Sequence, residues 1–481
     1  MAKSLVKNTI IYTVKVISGI IFPLITLPYI SRILSPEGLG NYNFSQSIVS
    51  YFQLLAGLGI STYAIREGAR LKAKSNELEK ISQEIFTINV ISSLIAEFLL
   101  FLLVFSIPFF KVYRGNIVIL SFAIVLTAIG TEWIYTINED YMYITFRSIG
   151  IQFVSIVLML LLVKSRNDVL IYCFITVLAT ASSNLLNYRK AKKYFQHKLV
   201  FSRSVFRHFK PILVLFASQV ACQIYVSSDT TMLGILLGDY EVGIYSGASK
   251  IYNMLRTLLA TFVTVLLPRL SFCSNDRKEY DDLLKKTIGG YLAVIVPCAV
   301  GIFLIGDDII ELLLGSEYLN ASASLKILSI ALVFSTMGSF IANSVLVVYK
   351  RENKILYATI IGAIVNFVAN IFLIPTGGAT AAAMTTLLSE VIVFSIQLYY
   401  SREYVRSCML IKYMKKLLIP SFWIIVVCVI SKKIIFSIII RLCISIILSG
   451  IGYIALLVVL KYDGSTYVIR NIKKKLGRKI V

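Results

Sequence analysis

The sequence predicts an all-α polytopic membrane protein with about fourteen transmembrane helices, in two pseudo-symmetric six-helix lobes followed by two C-terminal helices. The 481-residue chain is 57% hydrophobic, and its mean hydropathy is +0.81. A soluble protein of this size needs far more polar surface. Apolar runs of about 20 residues, long enough to cross a hydrocarbon core of about 30 Å, recur from end to end. A repeated segment further indicates two related halves.

The apolar runs divide the chain into its predicted elements. Run 85–107 contains no Arg or Lys, and run 144–163 is rich in Leu, as expected of lipid-facing helices. In chain order the predicted spans lie at 10–31, 42–63, 85–107, 116–138, 144–163, 169–188, 211–233, 243–268, 287–305, 322–349, 355–374, 378–400, 417–430 and 434–460. The predicted domains are an N-terminal lobe (1–188), a basic linker (189–210), a C-terminal lobe (211–400) and two peripheral helices with a basic tail (401–481).

The distribution of positive charge predicts the orientation. Lys3 and Lys7 precede a first apolar run that is too long for a cleavable signal peptide, so this run should remain as an anchor. With the N-terminus in the cytoplasm, 36 of the 48 Lys and Arg fall in cytoplasmic segments and 7 in external loops. This bias follows the positive-inside rule and places both termini in the cytoplasm. The net charge of +23 is therefore a topology signal and does not indicate nucleic-acid binding.

The connections between spans exclude several classes of function. None exceeds about two dozen residues, which leaves no room for a soluble catalytic or nucleotide-binding domain. The linker 189–210 is expected to rest on anionic lipid headgroups, and the acidic loop 306–321 to be a solvated external connection. The seven cysteines are scattered, and His197 and His208 share a basic loop without a nearby carboxylate. We therefore expect no metal site, no cofactor and no enzymatic activity.

Segments 33–48 and 236–251 look like two copies of one unit at a constant offset. Four residue pairs coincide: Leu34/Leu237, Gly40/Gly243, Tyr42/Tyr245 and Ile48/Ile251. Each copy leads into a helix with a polar stripe at three- and four-residue spacing. The same offset places Asn43 at Ser246, Ser47 at Lys250, Ser50 at Asn253 and Gln53 at Arg256. A chain of two similar halves suggests a transporter with its substrate site between them.

Polar side chains inside the spans give the candidate site. Such groups are costly in hydrocarbon and should face a bundle interior or a hydrated cavity. Arg256 lies near the middle of its span, where a charge costs roughly 2.5–3.5 kcal/mol. Cationic lining favours an anionic substrate such as a phosphate or diphosphate. The predicted substrate-binding residues are Lys250, Arg256, Asn253, Gln46, Ser50, Gln53, Gln219, Gln223 and Lys15.

Each of these assignments has a simpler alternative. An isolated Asn or Ser usually bonds only to a neighbouring helix, and Lys15, near a span end, can extend its amine to the interface. Three carboxylates, Asp229, Glu132 and Glu390, are candidates for coupling transport to an ion gradient. The sequence does not choose among them.

Four stretches of the chain resemble the bacterial polysaccharide flippases (Wzx type) of the multidrug/oligosaccharidyl-lipid/polysaccharide exporter superfamily. The opening stretch, FPLITLPYISRILSPEGLGNYNFSQSIVSYFQLLAGLGISTYAIREGA, is similar to the first two spans of that family. Residues 131–168 look like its fourth and fifth spans, and 229–255 like its hairpin of spans seven and eight. Residues 366–400, with Asn366, Asn370 and Glu390, look like spans eleven and twelve.

The resemblance implies two six-helix lobes around a central cavity, with two peripheral helices. It implies a protein of the bacterial cytoplasmic membrane whose substrate is an oligosaccharide repeat unit on undecaprenyl diphosphate. The substrate would move from the cytoplasmic to the external leaflet by alternating access. Besides this lipid-linked oligosaccharide and membrane lipids, the implied partners are a polysaccharide polymerase and chain-length machinery.

Other functions remain open at this stage. An ion-coupled multidrug exporter of the same superfamily should have carboxylates instead of Lys and Arg at its cavity centre. A peptidoglycan-precursor flippase would have a similar cationic cavity. A membrane-embedded glycan polymerase would need a large external loop, and the longest one here has about 16 residues. A purely structural membrane protein would not need charges buried in its spans.

Overall fold

The computed structural model describes residues 2–72, 74–274, 276–405 and 410–462, and no strand occurs among them. Cys408 and the predicted basic tail beyond Tyr462 lie outside these residues. The helices are α1 (Ala2–Gly57), α2 (Ile60–Leu71), α3 (Ser75–Ser106), α4 (Arg114–Gly130), α5 (Glu132–Ile137), α6 (Tyr141–Leu162), α7 (Val169–Ala181), α8 (Ser183–Ala191), α9 (Phe209–Leu236), α10 (Asp239–Cys273), α11 (Arg277–Leu313), α12 (Ala321–Ile341), α13 (Glu352–Val405), α14 (Leu410–Ile434) and α15 (Ile438–Val459).

This arrangement confirms the all-α membrane fold. Within the described residues, ten helices are long and apolar enough to cross a membrane. Glu352–Val405 contains two of the predicted spans, and Ile17–Leu71 contains predicted span 2 and most of predicted span 1. Predicted span 4 overlaps the shorter apolar helix α4, and predicted span 8 lies within α10, which is not among the ten. Each of the fourteen predicted spans thus corresponds to described helical residues.

The two longest helices are each interrupted at one residue. In α1 the backbone leaves the helical region at Ser35, with φ 62° and ψ 171°, a conformation that is unfavourable for a residue with a Cβ. In α13 the break is at Gly378, with φ 53° and ψ −139°, where glycine carries no such penalty. Ser35 lies between predicted spans 1 and 2, and Gly378 is the first residue of predicted span 12.

Predicted span 4 is broken in two, which the sequence did not indicate. The break is at Thr131, which adopts a left-handed conformation (φ 40°, ψ 47°) between α4 and α5. In span 6 only Ser182 separates α7 from α8, and this residue keeps right-handed helical angles (φ −64°, ψ −26°). The break in span 4 lies against α8, because a Cβ on Gly130 would lie 2.3 Å from Asn184 Oδ1. A broken helix often marks a ligand or ion site in transporters.

The chain forms two compact units that divide at Gly243/Ile244. In the first unit (Met1–Gly243), α1 packs against α3, α4, α6 and α9. A hydrophobic cluster that includes Ile60, Ile85, Trp133 and Phe195 joins α2, α3 and α5 to the linker. The predicted lobe boundary at 189–210 remains a prediction, and α9 belongs to the first unit by its contacts.

In the second unit (Ile244–Val481), α12 packs along α11 and α13, and α14 and α15 pack against each other and against α11. Two ion pairs fix the last two helices. Lys432 Nζ lies 3.1 Å from Asp307 Oδ2, and Arg441 Nη2 lies 2.5 Å from Asp308 Oδ1. The prediction of a solvated loop was wrong for this part of 306–321, because α11 continues to Leu313 and Asp308 is buried. The fold brings Arg441 of α15 into contact with Asp308.

Candidate functional site

The polar stripe of the second unit lies on α10. Ser246 is buried, Lys250 and Arg256 are half-buried, and Asn253 is exposed. Because these residues recur at three- and four-residue spacing, they share one face of the helix, as predicted. The stripe therefore places two cations and an amide on one face of α10, within predicted span 8.

Arg256 is paired with one of the predicted coupling carboxylates. Its Nη2 lies 3.5 Å from Glu390 Oε1 of α13, and Tyr252 Oη donates to the same oxygen at 3.4 Å. The Arg256 side chain is 34% exposed, whereas that of Glu390 is 4% exposed. The buried carboxylate thus holds the Arg256 side chain in place and leaves about a third of it accessible.

In the first unit, the polar stripe of α1 is bonded to α9. Gln223 Nε2 donates to Ser50 Oγ at 2.9 Å, and Thr231 Oγ1 donates to Ser47 Oγ at 3.0 Å. The fold thereby joins two of the predicted residues, Ser50 and Gln223. Gln46, Gln53 and Gln219 are half-buried, while Asp229 on α9 is almost fully buried.

Gln53 lines a cavity of about 290 Å³ inside the first unit. The walls come from α1, α3, α4 and α7, and the polar groups are Gln53, Asn89, Ser93, Thr127 and Thr180. Among the residues that the structure describes, no charged side chain contributes to this lining. The cavity therefore suits water or hydroxyl groups better than an anion.

Lys15 and Glu132, predicted separately for substrate binding and ion coupling, form one ion pair. Lys15 Nζ lies 2.5 Å from Glu132 Oε1, and Arg147 Nη2 lies 3.6 Å from Glu132 Oε2. Asn187 accepts a hydrogen bond from Arg147 Nη1. The site prediction omitted Arg147 and Asn187. A signal for Arg147 existed, because this cation stands at the start of predicted span 5 beside a carboxylate-rich segment.

The repeated segments touch each other at equivalent positions. A Cβ on Gly40 would lie 1.8 Å from the Asp239 carbonyl oxygen, and a Cβ on Gly243 would lie 1.9 Å from the Pro36 carbonyl oxygen. Under the sequence offset, Gly40 corresponds to Gly243 and Pro36 to Asp239. We call these four residues, all in the first unit, the repeat contact. Only glycine allows two backbones to approach so closely.

The backbone breaks preceding this contact are equivalent too. Ser35 has φ 62° and its counterpart Gly238 has φ 90°. Asp239 accepts hydrogen bonds from Asn41 Nδ2 at 3.0 Å and from Tyr113 Oη at 2.8 Å. Burial raises the pKa of the Asp239 carboxyl, and the two donors partly oppose this shift. Conformation and packing thus support the repeat first seen in four identities.

The linker residue His208 does have a carboxylate neighbour, contrary to the impression from the sequence. Its Nε2 lies 2.7 Å from Glu84 Oε2, and its Nδ1 lies 2.7 Å from Tyr63 Oη. Ser204 Oγ and Arg207 Nη2 donate to the same carboxylate. No group of three or more metal-ligating side chains occurs in the part of the chain that the structure describes. We infer that this hydrogen-bond network holds the linker against helices α2 and α3.

Comparison with known proteins places the fold among transporters. The sequence profile of a family described as "Polysaccharide biosynthesis protein" matches residues 5–274, more than half of the chain. An Escherichia coli (strain K12) protein to which O-antigen transport is ascribed is 26% identical over 420 residues, covering 83% of this chain and 97% of that protein. A Shigella dysenteriae protein of the same description is 24% identical over 377 residues, covering 78% and 94%. The solved structure of the lipid II flippase MurJ, in an inward closed conformation, has a TM-score of 0.72 at 18% identity, covering 95% of this chain and 99% of that chain.

Proposed function

Because the chain belongs to the polysaccharide biosynthesis protein family, we propose that it is a flippase for lipid-linked oligosaccharides. It carries undecaprenyl-diphosphate-linked repeat units from the cytoplasmic to the external leaflet of the bacterial cytoplasmic membrane, by alternating access, for cell-surface polysaccharide export. The family match and the relatives to which O-antigen transport is ascribed support this function. Both termini are cytoplasmic in this proposal. The protein moves its substrate without altering it chemically, so it is not an enzyme.

The observation that carries the substrate class is the pair of cations on α10. Lys250 and Arg256 stand on one face of α10 within predicted span 8, where charged side chains are costly and therefore indicate a functional site. In our proposal they bind the diphosphate, the part of the substrate that is most costly to move through hydrocarbon. The Arg256 side chain is about one third exposed while its partner Glu390 is buried, so its guanidinium is positioned to contact such a group.

The neutral residues fit the sugars. Gln46, Ser50, Gln53, Gln219 and Gln223 offer amide and hydroxyl groups, which pair with sugar hydroxyls without a preference for charge. Asn253, exposed on the cationic stripe of α10, would bind next to the diphosphate. We propose that these residues accept the first sugars of the repeat unit while the lipid tail stays in the bilayer.

A peptidoglycan-precursor flippase remains the second candidate, because the likeness to MurJ covers nearly the whole of both chains. Both substrates carry a diphosphate on a polyprenyl lipid, so the cationic stripe serves either. A multidrug exporter is less compatible with Lys250 and Arg256, since these cations repel cationic drugs. A transport assay with both lipid-linked glycans separates the first two functions.

The test is export of surface polysaccharide in a cell whose own flippase gene is deleted. Arg256→Ala should abolish export at an unchanged protein level, while Arg256→Lys should retain part of it because the charge is kept. The matched control is Arg402→Ala, at an exposed position near the end of α13. Full export by Arg256→Ala would remove Arg256 from the mechanism. Failure of the wild-type chain to restore any export, together with transport of a peptidoglycan precursor in proteoliposomes, would replace the proposed function by the second candidate.

A further inference from the structure

The Lys15, Glu132 and Arg147 side chains of the first unit form a cluster with more positive than negative charge. Two cations surround one carboxylate, with Lys15 Nζ at 2.5 Å and Arg147 Nη2 at 3.6 Å from its two oxygens. Glu132 follows Thr131, the left-handed residue that interrupts predicted span 4. The cluster therefore sits at a helix break, where membrane transporters commonly hold charged ligands.

Arg147 is the fixed part of the cluster. Its side chain is only 4% exposed, and its guanidinium carbon lies 5.6 Å from the centre of the Tyr143 ring. Asn187 accepts a hydrogen bond from Nη1. Nε is buried, and among the described residues it has no hydrogen-bond partner. A buried guanidinium with one unused donor is stabilised by an acceptor that reaches this donor.

Glu132 is the most exposed member of the cluster. Its side chain is 42% exposed, against 28% for Lys15. The pair in the second unit has the opposite arrangement, since there the carboxylate of Glu390 is 4% exposed and Arg256 is 34% exposed. A buried carboxylate is held in place by its surroundings, whereas a carboxylate that is 42% exposed has space to move away from its cations. Glu132 is therefore the partner that can be displaced.

We propose that Lys15 and Arg147, the latter positioned by Asn187, form an anion site of the first unit in which Glu132 is the resting counter-ion. A phosphate-type oxyanion binds by displacing the Glu132 carboxylate, and its additional oxygens reach the unused Nε donor of Arg147. A diphosphate fits better than a carboxylate because it brings more acceptors to the planar guanidinium. The identification of this oxyanion with the substrate's diphosphate rests on the proposed function, but the site itself does not.

The proposal predicts a gain of affinity from the loss of a charge. Inorganic pyrophosphate is titrated into the full-length protein in lipid nanodiscs, and binding is followed by calorimetry. Glu132→Gln removes the competing carboxylate and should tighten pyrophosphate binding about tenfold, whereas Lys15→Gln should weaken it about tenfold. The matched control is Glu97→Gln, a carboxylate of α3 that accepts from Ser121 Oγ and should leave the affinity unchanged. Arg147→Lys keeps the charge but removes the planar guanidinium and its Nε donor, so it should also weaken binding.

The titration is done in nanodiscs without phosphatidylglycerol and repeated in nanodiscs that contain it. The comparison identifies the source of the oxyanion. If the headgroup of a membrane lipid occupies the site, the tenfold gain of Glu132→Gln shrinks in these nanodiscs. If the gain persists, the site selects the diphosphate over the lipid phosphate. Unchanged or weaker pyrophosphate binding by Glu132→Gln in both lipids would overturn the proposal. This result is independent of glycan transport, so the site and the proposed function can fail separately.

Discussion

At the residue scale, Gly243 is the position where the smallest change should have the largest effect. A methyl group there would lie 1.9 Å from the Pro36 carbonyl oxygen, so Gly243→Ala must push two backbones apart. We expect a loss of about 1–3 kcal/mol in the free energy of unfolding, as for other overpacked sites. The measurement is the thermal unfolding temperature of the purified protein in detergent.

The control is Gly450→Ala, in the middle of α15, where an added Cβ meets no atom within 4 Å. Alanine favours a helix interior by up to about 1 kcal/mol over glycine, so this variant should be as stable as the wild type or more so. Equal unfolding temperatures for the two variants would show that the repeat contact is not as close as the structure has it.

His197 in the linker makes stability depend on pH. Burial among aromatic rings and the charge of Lys192 lower the pKa of His197 from 6.5 to about 4. The unfolded chain therefore binds a proton before the folded one does, and stability should fall as the pH drops from about 6.5 to about 4. His197→Gln should show a smaller decrease in unfolding temperature between pH 7.5 and pH 5 than the wild type. An identical decrease would assign the pH dependence to other groups.

The residue pairs in the site illustrate what the sequence could predict. Lys15, Glu132, Arg256 and Glu390 were all identified as candidates, because a charge within an apolar run is conspicuous. Their pairing could not be predicted, since 117 and 134 positions separate the partners and only packing decides which helices are neighbours. Asn187 is a neutral residue of α8 within predicted span 6, and only the fold reveals its bond to Arg147.

At the element scale, the ion pair between Asp308 and Arg441 determines how α15 attaches to α11. The side chains are 6% and 16% exposed. Removing one partner leaves a buried charge alone, so Asp308→Asn and Arg441→Gln should each destabilise the protein by roughly 2–4 kcal/mol. The double variant should lose less than the sum of the single losses, which a double-mutant cycle of thermal unfolding measures.

A neighbouring pair provides the control for this prediction. Asp307 and Lys432 form a second ion pair, which joins α11 to α14. Their side chains are 37% and 35% exposed. Lys432→Gln should therefore change the free energy of unfolding by about 1 kcal/mol or less. Additive losses in the Asp308/Arg441 cycle, or an equal loss in Lys432→Gln, would contradict the role assigned to the buried pair.

The helices themselves were predictable where hydrophobicity determines them. Apolar runs located the spans, because length and composition govern membrane insertion. The interruption at Thr131 was not predicted, since one residue in a left-handed conformation hardly alters the hydropathy of a 20-residue window. Gly130 was a partial signal, as it permits the close approach to Asn184, but glycine is common in membrane helices and does not by itself indicate a break.

At the scale of the whole molecule, the repeat of segments 33–48 and 236–251 is visible in the sequence and in the fold, and it bears on the proposed function. Four identities at one offset predicted it, and the structure adds equivalent backbone breaks at Ser35 and Gly238 and reciprocal glycine contacts. Such agreement between sequence, conformation and packing is expected of related halves. The sequence could not reveal that the copies touch each other, because contacts between distant segments do not follow from either segment alone.

Alternating access requires that contacts closing one side of a transporter separate during the cycle. The repeat contact lies in the loops between predicted spans, where Asn41 bonds to Asp239, so we expect it to open at one stage. In a cysteine-free background, Asn41→Cys with Asp239→Cys, joined by a short bifunctional thiol reagent, should hold the contact closed and stop export. Each single variant treated in the same way should keep the activity that it has untreated. A cleavable linker should restore export on reduction, since the protein itself is unharmed. Export at the full rate with the linker in place would mean that the repeat contact stays closed throughout transport and is a static joint of the fold.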